Sequence, residues 1–588
     1  MGSRSSCKTS GKRAPKKKPG RKTTSSGVSK KKPDRTRASR KAQQPNNPNS
    51  VDNHPPFNTK LRPPWLWPIP DTRSPSDQLC EVCAALDLFE YLAGYRTIEE
   101  DPPKLKLGNV SDLVQKPWCP LCRLILTGLR LHRGDAMLED PNASVEYVRE
   151  RSLLVSVEGE EYSHRVYFGI KPLVTDILDK PLAEITPDCI QPLRPEGIDF
   201  GLVRLWLEYR EKHHGPECQT SELLKALKLS HPTQVLGNNF RCIDVEIGCV
   251  VSPPPNARYV ALSYVWGPYK VLKAEKSNIH VLKMPGAFFN KPEIRDHLPK
   301  TIRDAMVVTK EIGLRYLWVD SFCILQGDEE ETPMQLRSMN LIYAGAYLVI
   351  IAAGGDNANA GIAGVQPGSR GISCQQLIEQ IRPGFRIGID YNWEMELKES
   401  KYRTRGWTFQ EERLANRMLV FIGGTVAFQC RIESESRSEY LAWSPTREFV
   451  RREESIPPHW LDIAPRADED IELYMERELS LVHDIYNAFA GVAQLMKHYL
   501  CSDFCHGLPT IFFTYFLCWT VLDGEHFVRR VNSTTGQPLT PSCKQPNYPP
   551  PTFSLPHSAS LLSVFPSYHP FYFLNIKHEN DWEKCTNC

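Results

Sequence analysis

Between Tyr259 and Gly354 the chain alternates short, wholly apolar runs with longer stretches of helical periodicity, and few architectures accommodate that alternation. YVALSYVWG (Tyr259–Gly267) is apolar and β-branched, and it stops at Trp266, Gly267 and Pro268, so it reads as a buried strand entering a loop. LPKTIRDAMVVTKEIG (Leu298–Gly313) has helical spacing. Ile302, Ala305, Met306 and Ile312 share a face, Thr301 and Asp304 resemble a capping pair, and Gly313 suits the C-terminal stop. RYLWVDS (Arg315–Ser321) is a second buried strand finishing on Asp320. A helix over Gln335–Ala346 and the apolar run LVIIAAG (Leu348–Gly354) follow. Helices between buried strands predict an α/β fold with a parallel sheet.

In an open sheet of that kind, ligands bind beyond the carboxyl ends of the strands. Three motifs deliver polar groups there: Ser263, Trp266 and Gly267 at one strand end, Asp320 to Asp328 at another, and GWTFQEE (Gly406–Glu412). If the last is a helix, Trp407, Gln410 and Glu411 fall at i, i+3 and i+4 on one face, with Arg405 just ahead. An aromatic to stack a base, an arginine for phosphate and a carboxylate for catalysis would suit a nucleotide-cleaving site. The competing reading is structural, with Trp266, Trp318 and Trp407 as core anchors and Arg405 paired to Glu411 or Glu412. The lack of a glycine-rich loop ending in Gly-Lys-Ser/Thr argues against a P-loop NTPase.

Upstream, Cys80-Glu-Val-Cys83 and Cys119-Pro-Leu-Cys122 are two C-x-x-C pairs separated by 35 residues. Four thiolates complete a tetrahedral structural zinc site and leave no open position for water. The alternative is four buried thiols on helix turns. His213, His214 and Cys218 invite a metal reading but lack ligand spacing, and the two histidines read as surface residues.

The net charge of +3 conceals an asymmetry. Residues 1–50 hold 16 Lys/Arg against one acid, Asp34, leaving 56 basic against 68 acidic residues in the remainder. Residues 1–60 have almost no large apolar side chains and are expected to form a disordered basic tail. Its clusters Lys12–Lys22 and Lys30–Lys32 suit a solvated tail, nuclear import, nucleic acid or a membrane surface. Gly2 with Ser6 fits an N-myristoylation pattern, beside Cys7 as a palmitoylation candidate. A nucleic-acid-binding regulator acting through the basic arm and a zinc site is a third alternative, ranked last because the arm is the only strongly basic region and the body is acidic. The apolar run Leu508–Leu522 is short of the roughly 20 residues that span a bilayer and holds Pro509, so a buried helix is expected there, with no transmembrane segment. A chain of 588 residues buries a core without disulfides, so its 18 cysteines are expected reduced and the protein intracellular, cytoplasmic unless the N-terminus takes it to nucleus or membrane. The expected organisation is a basic tail over 1–60, a Cys-rich region over 79–250, the α/β module over 259–430, a helical extension over 431–530, and a Pro-rich irregular tail over 531–588.

YVALSYVWG, LPKTIRDAMVVTKEIGLRYLWVDSFCILQGD, MNLIYAGAYLVIIAAGG and RTRGWTFQEERLANRMLVF resemble, in order, the fungal heterokaryon-incompatibility (HET) domain, from Tyr259 to about Cys430. The paired cysteines ahead and GLPTIFFTYFLCW (Gly507–Trp519) behind resemble the long architecture of that family. Departures are Tyr209 and Arg210 where the family often has a cysteine ahead of His213 and His214, and Tyr568-His569-Pro570 after Phe565-Pro566-Ser567. The closing Cys585–Cys588 lacks the aliphatic residues of a prenylation motif.

The resemblance implies a fold similar to TIR domains, with a flavodoxin-like parallel sheet and flanking helices. It also implies non-self recognition leading to regulated cell death, acting with other incompatibility proteins or by self-association. Similarity to TIR enzymes further implies NAD as a substrate, cleaved through an oxocarbenium-like state that a carboxylate stabilises. Glu411 is the first candidate for that carboxylate and Asp320 the second. Ser263, Trp266, Gly267, Asp328, Arg405, Trp407 and Gln410 are the ligand-binding candidates. Glu411 is expected beside an open cleft, charged at neutral pH because Arg405 holds it.

Overall fold

The computed structural model describes residues 77–86, 88–92, 105–133, 144–149, 153–158, 166–176, 189–214, 221–268, 271–370, 376–431, 437–439, 441, 470–479, 484–500, 502–505 and 508–510. All lie in the unit Phe57–Cys588. The basic clusters, the acylation pattern at Gly2 and Cys7, Cys218 and the 531–588 tail lie outside the described residues.

The apolar runs form the centre of an eight-stranded sheet. Its strands are β5 (Cys242–Asp244), β6 (Cys249–Val251), β7 (Tyr259–Tyr264), β8 (Tyr316–Trp318), β9 (Leu348–Ala352), β12 (Arg417–Ile422), β13 (Thr425–Cys430) and β14 (Arg437–Ser438), in spatial order β14-β13-β12-β9-β7-β8-β5-β6. Every residue of β7 and β9 is buried, as expected of strands covered on both faces. β12, β9, β7 and β8 run parallel. The flanks do not, so the expected parallel sheet is a mixed one. The cause at one flank is local. Gly423 and Gly424, at φ +53° and +73°, close a two-residue turn between Ile422 and Thr425, which folds β13 back antiparallel on β12.

The helix Lys300–Glu311 covers β7 and β8, burying Ile302, Ala305, Met306 and Val308. Thr301 and Asp304 do not cap it; Pro299 stands at its N-cap. Instead Thr301 Oγ1 accepts from the Gly361 amide, and the Asp304 carboxylate accepts from Ile362 N and Gln366 Nε2. The pair therefore fastens the loop after β9. Ahead of residue 259, β5, β6 and the helix Phe200–His213 contribute Cys242, Ile243, Trp206 and Leu207 to the same core.

A second sheet is antiparallel throughout. It is built from β1 (Leu105–Asn109), β2 (Ser144–Arg149), β3 (Leu153–Glu158), β4 (Val166–Pro172), β10 (Ile378–Arg382) and β11 (Phe385–Asp390), in order β1-β2-β3-β4-β11-β10. The hairpin β10–β11 leaves the chain between β9 and the helix Gly406–Arg413, and β11 pairs with β4, some 220 residues earlier in the sequence. The helix Pro120–Arg133 lies across this sheet. At Gly128 the approach is so close that a Cβ would stand 2.7 Å from Ile389 and 2.9 Å from the Phe168 ring.

After β14, the segment 470–475 and the helices Asp484–Asn487 and Ala490–Leu500 pack around Phe409, Leu414 and Leu341. No helix among the described residues is long and apolar enough to cross a membrane.

Candidate functional site

The parallel strands bring three of the motifs to one sheet edge. β7 ends at Ser263 and Tyr264, and Trp266 follows. β8 ends two residues before Asp320, which opens a short helix, Asp320–Cys323. The Trp266 indole N–H donates to Asp320 Oδ2 at 2.8 Å, and the Ser321 amide donates to Asp320 Oδ1 at 2.7 Å. Lys273 Nζ stands 4.6 Å from the centre of the Trp266 ring. Gly267 makes the turn at φ +74°, where a Cβ would come within 2.4 Å of Asn357 Cβ.

The third motif is the helix Gly406–Arg413, as the spacing predicts. Its Glu411 reaches back to β7: Ser263 Oγ donates to Glu411 Oε2 and also lies 2.7 Å from the Tyr402 hydroxyl. Arg405, at the N-cap, donates from Nη1 to the Tyr264 carbonyl at 2.5 Å. Tyr343 donates to the Leu262 carbonyl at 2.9 Å. The result is a polar cluster of Ser263, Tyr402, Tyr343 and Glu411, bordered by Asp320 and Arg405 and set into an apolar core.

Burial dominates its electrostatics. Glu411 is 5% exposed, and loss of water pushes its carboxyl up to about 7. The hydrogen bond from Ser263 opposes that shift, the Asp320 charge adds to it, and the Arg405 charge and Tyr343 hydroxyl oppose it. Asp320 is likewise raised by desolvation, against its Ser321 amide bond, Arg405 and Trp266. Near pH 7 Glu411 is therefore divided between acid and carboxylate, which departs from the expected permanently charged group. Among the described residues Glu411 does not stand at the expected open cleft, because Ser263 and Tyr402 beside it are fully buried. Arg405 does not form the expected ion pair with Glu412, which instead meets Arg403 and Arg477.

Trp407 and Gln410 do not join Glu411. The Trp407 indole donates to Asp484 Oδ2 at 3.2 Å, and Gln410 bonds the Asn487 carbonyl and the Gly491 amide. At 100° per residue, positions 410 and 411 diverge enough for two neighbours to divide the helix between them. Asp328 turns away as well. Its carboxylate accepts from the Glu330 and Glu331 amides and pairs with Lys276 at 2.9 Å, which holds it down at about 2. Tyr402 and Tyr343 were not singled out from sequence. The available signal was a tyrosine where phenylalanine would serve, since a buried phenol needs a partner.

In the N-terminal region the two C-x-x-C pairs meet. Cys80 and Cys83 Sγ lie 4.0 and 3.7 Å from Cys122 Sγ, and all four sulfurs, Cys119 included, lie within 4.8 Å of one another. Tetrahedral bonds of about 2.3 Å place thiolates about 3.8 Å apart, so the donor set fits one metal ion. Hydrogen bonds among the thiols hold Cys119 low and push Cys83 and Cys122 up, as expected of sulfurs crowded about one point. His214 corrects the surface reading. It is buried, with Nε2 3.2 Å from Arg210 Nη1 and Nδ1 3.5 Å from Cys430 Sγ. Arginine only donates, so Nε2 accepts and the proton of neutral His214 sits on Nδ1, facing the Cys430 sulfur.

Residues 259–411 match the model of the family described as heterokaryon incompatibility protein (HET). Over 135 residues the chain is 32% identical to the heterokaryon incompatibility protein 6, OR allele, of Neurospora crassa. That stretch is 21% of this chain and 18% of the relative, so the chain spans under a fifth of that protein's length. No solved structure matches it.

Proposed function

Starting from the HET domain that residues 259–411 carry, we propose that this chain is an effector of heterokaryon incompatibility, acting in non-self recognition and ending in regulated cell death. The observation behind this reading is the overlap of the match with the polar cluster. Ser263, Asp320, Arg405 and Glu411 all fall inside the matched stretch, at the carboxyl ends of β7 and β8. By chain position the four parallel strands lie in the order second, first, third, fourth, which is the order of flavodoxin-type sheets and supports the TIR-like relationship. Its switch point lies between β7 and β9, beside Ser263. Induced expression of the full chain in a filamentous fungus tests the reading: growth arrest and vacuolar death support it, and unaffected growth at high expression counts against it.

A second reading, NAD cleavage, is favoured by one observation: a buried carboxyl next to a serine and within reach of an arginine's field. Glu411 as carboxylate would stabilise the oxocarbenium-like state, and Arg405, freed from the Tyr264 carbonyl, would take a phosphate. Because Glu411 is 5% exposed, a ligand reaches it only if the residues packed around it move aside. NAD consumption by purified protein, wild type against Glu411→Gln, separates enzyme from recruiting module. We read the four-cysteine cluster as a structural zinc centre, closed to catalysis because all four positions are thiolates. Other incompatibility proteins or a second copy of the HET domain are the proposed partners. An intracellular, cytoplasmic location is proposed with them, along with the membrane or nuclear destinations that the basic N-terminus suits.

A further inference from the structure

Arg123 follows directly on the last of the four cysteines, and its guanidinium has no free donor. Nε and Nη2 donate to the two Glu379 oxygens at 3.0 and 2.7 Å. Nη1 and Nη2 donate to the two Asp77 oxygens at 2.8 and 3.1 Å, and Nη1 also donates to the Pro117 carbonyl at 2.8 Å. Asp77 stands three residues before Cys80, and Pro117 two residues before Cys119. Glu379 lies on β10, inside the HET match. One planar fork thus joins both arms of the cysteine cluster to the hairpin that the HET domain contributes to the N-terminal sheet. The cysteines fix where that fork stands, because Cys122 and Arg123 occupy the first turn of the helix Pro120–Arg133 and the Arg123 amide bonds the Cys119 carbonyl at 3.0 Å. Among the described residues the β10–β11 hairpin pairs with no strand but β4. It is held there by that ladder, by Arg386 on Asp176 and Lys171 on Asp390, by this fork, and by Ile381, Phe385, Ile387 and Ile389 packing under the helices.

We propose that the metal centre at Cys80, Cys83, Cys119 and Cys122 is one fastener of the HET-domain hairpin β10–β11, acting on its β10 edge, with Arg123 as the positioning residue between them. The proposal rests on reading the cluster as a metal site. With the ion bound, both cysteine arms are held together and the Asp77–Arg123–Glu379 bridge is complete. When the ion is lost the arms part, Asp77 and Pro117 separate, and Glu379 loses a bidentate partner. The state of the N-terminal region is thereby passed to the domain carrying Glu411, 21 residues along the chain from the end of β11.

The test is metal content together with hydrogen exchange on the full chain. Protein purified with Zn²⁺ should carry about one ion per chain, and Co²⁺ in its place should give the visible absorption of a tetrahedral thiolate site. Chelation or Cys122→Ser should then raise exchange at residues 378–390 about tenfold, the loss expected of a charge-assisted double hydrogen bond. Arg123→Gln should raise it similarly while still binding Zn²⁺ and Co²⁺. Absence of any bound ion overturns the metal reading and the proposal with it. A bound ion with hairpin exchange unchanged in Arg123→Gln overturns the coupling alone.

Discussion

Ser263 and Glu411 are unusual at the scale of single residues, because a serine and a carboxyl occupy positions that packing would give to apolar side chains. The folded Glu411 sits at about 7, above the ordinary carboxyl range, because burial favours its protonated form. In a window from about 4.5 to 7 the folded chain therefore holds a proton that the unfolded chain has released. The stabilisation is complete below that window and is lost as pH rises through it, a change of a few kcal/mol at most. Asp320, raised for the same reason, acts in the same direction. We expect the wild-type melting temperature to fall between pH 5 and pH 8 and Glu411→Gln to flatten that slope; equal slopes would remove the buried proton. At the turn after β7, Gly267→Ala forces a side chain into φ +74° against Asn357 and should cost roughly 1–3 kcal/mol by urea titration. The ends of β7 and β8 at Ser263, Trp266 and Asp320 were legible in the sequence because polar residues at the ends of apolar runs point to a strand edge, and Arg405 and Glu411 were picked out through the helical motif Gly406–Glu412. Tyr402 and Tyr343 were not: Tyr343 stands among apolar neighbours and looks like core, and Tyr402 stands in the polar run 399–405, where nothing in the sequence brings its hydroxyl to Ser263.

Among the elements, the Gly406–Arg413 helix carries the most consequence for its size. Two turns are marginal without tertiary support, and here the support comes from the C-terminal extension. The Gly406 amide donates to the Glu478 carbonyl at 2.7 Å, and the Glu478 amide donates to the Thr404 carbonyl at 2.5 Å. Arg477, nearly buried, donates to Thr408 Oγ1 at 3.0 Å, faces Glu412 at 3.7 Å and lies over the Phe409 ring. Arg477→Ala leaves Glu412 with one cation fewer in a half-buried setting and should cost roughly 3 kcal/mol. A loss under about 0.5 kcal/mol in chemical denaturation would show that the extension does not hold this helix. The helix itself was legible, and so was the turn at Gly423-Gly424, because both signals are local. The division of the helix's face was not: spacing puts Trp407 and Gln410 near Glu411, but which neighbour each meets depends on segments 70 to 80 residues further along the chain.

For the molecule as a whole, the sequence indicates a buried α/β centre, and the mixed sheet keeps that centre while adding antiparallel flanks. That the chain between β9 and the Gly406–Arg413 helix lends its hairpin β10–β11 to the N-terminal sheet left no local trace. β11 alternates apolar and polar residues like any half-covered strand, and nothing in it names β4 as its partner. The hairpin ties the stretch that carries the site at the edge of β7 and β8 to the N-terminal sheet by chain and by pairing with β4. The most direct test is killing by the full chain carrying Glu411→Gln, with its fold checked by an unchanged far-ultraviolet spectrum and cooperative melt. We expect wild-type expression to arrest fungal growth and the folded Glu411→Gln chain to leave it intact. A folded Glu411→Gln chain that kills as well as wild type would contradict a function centred on the buried carboxyl.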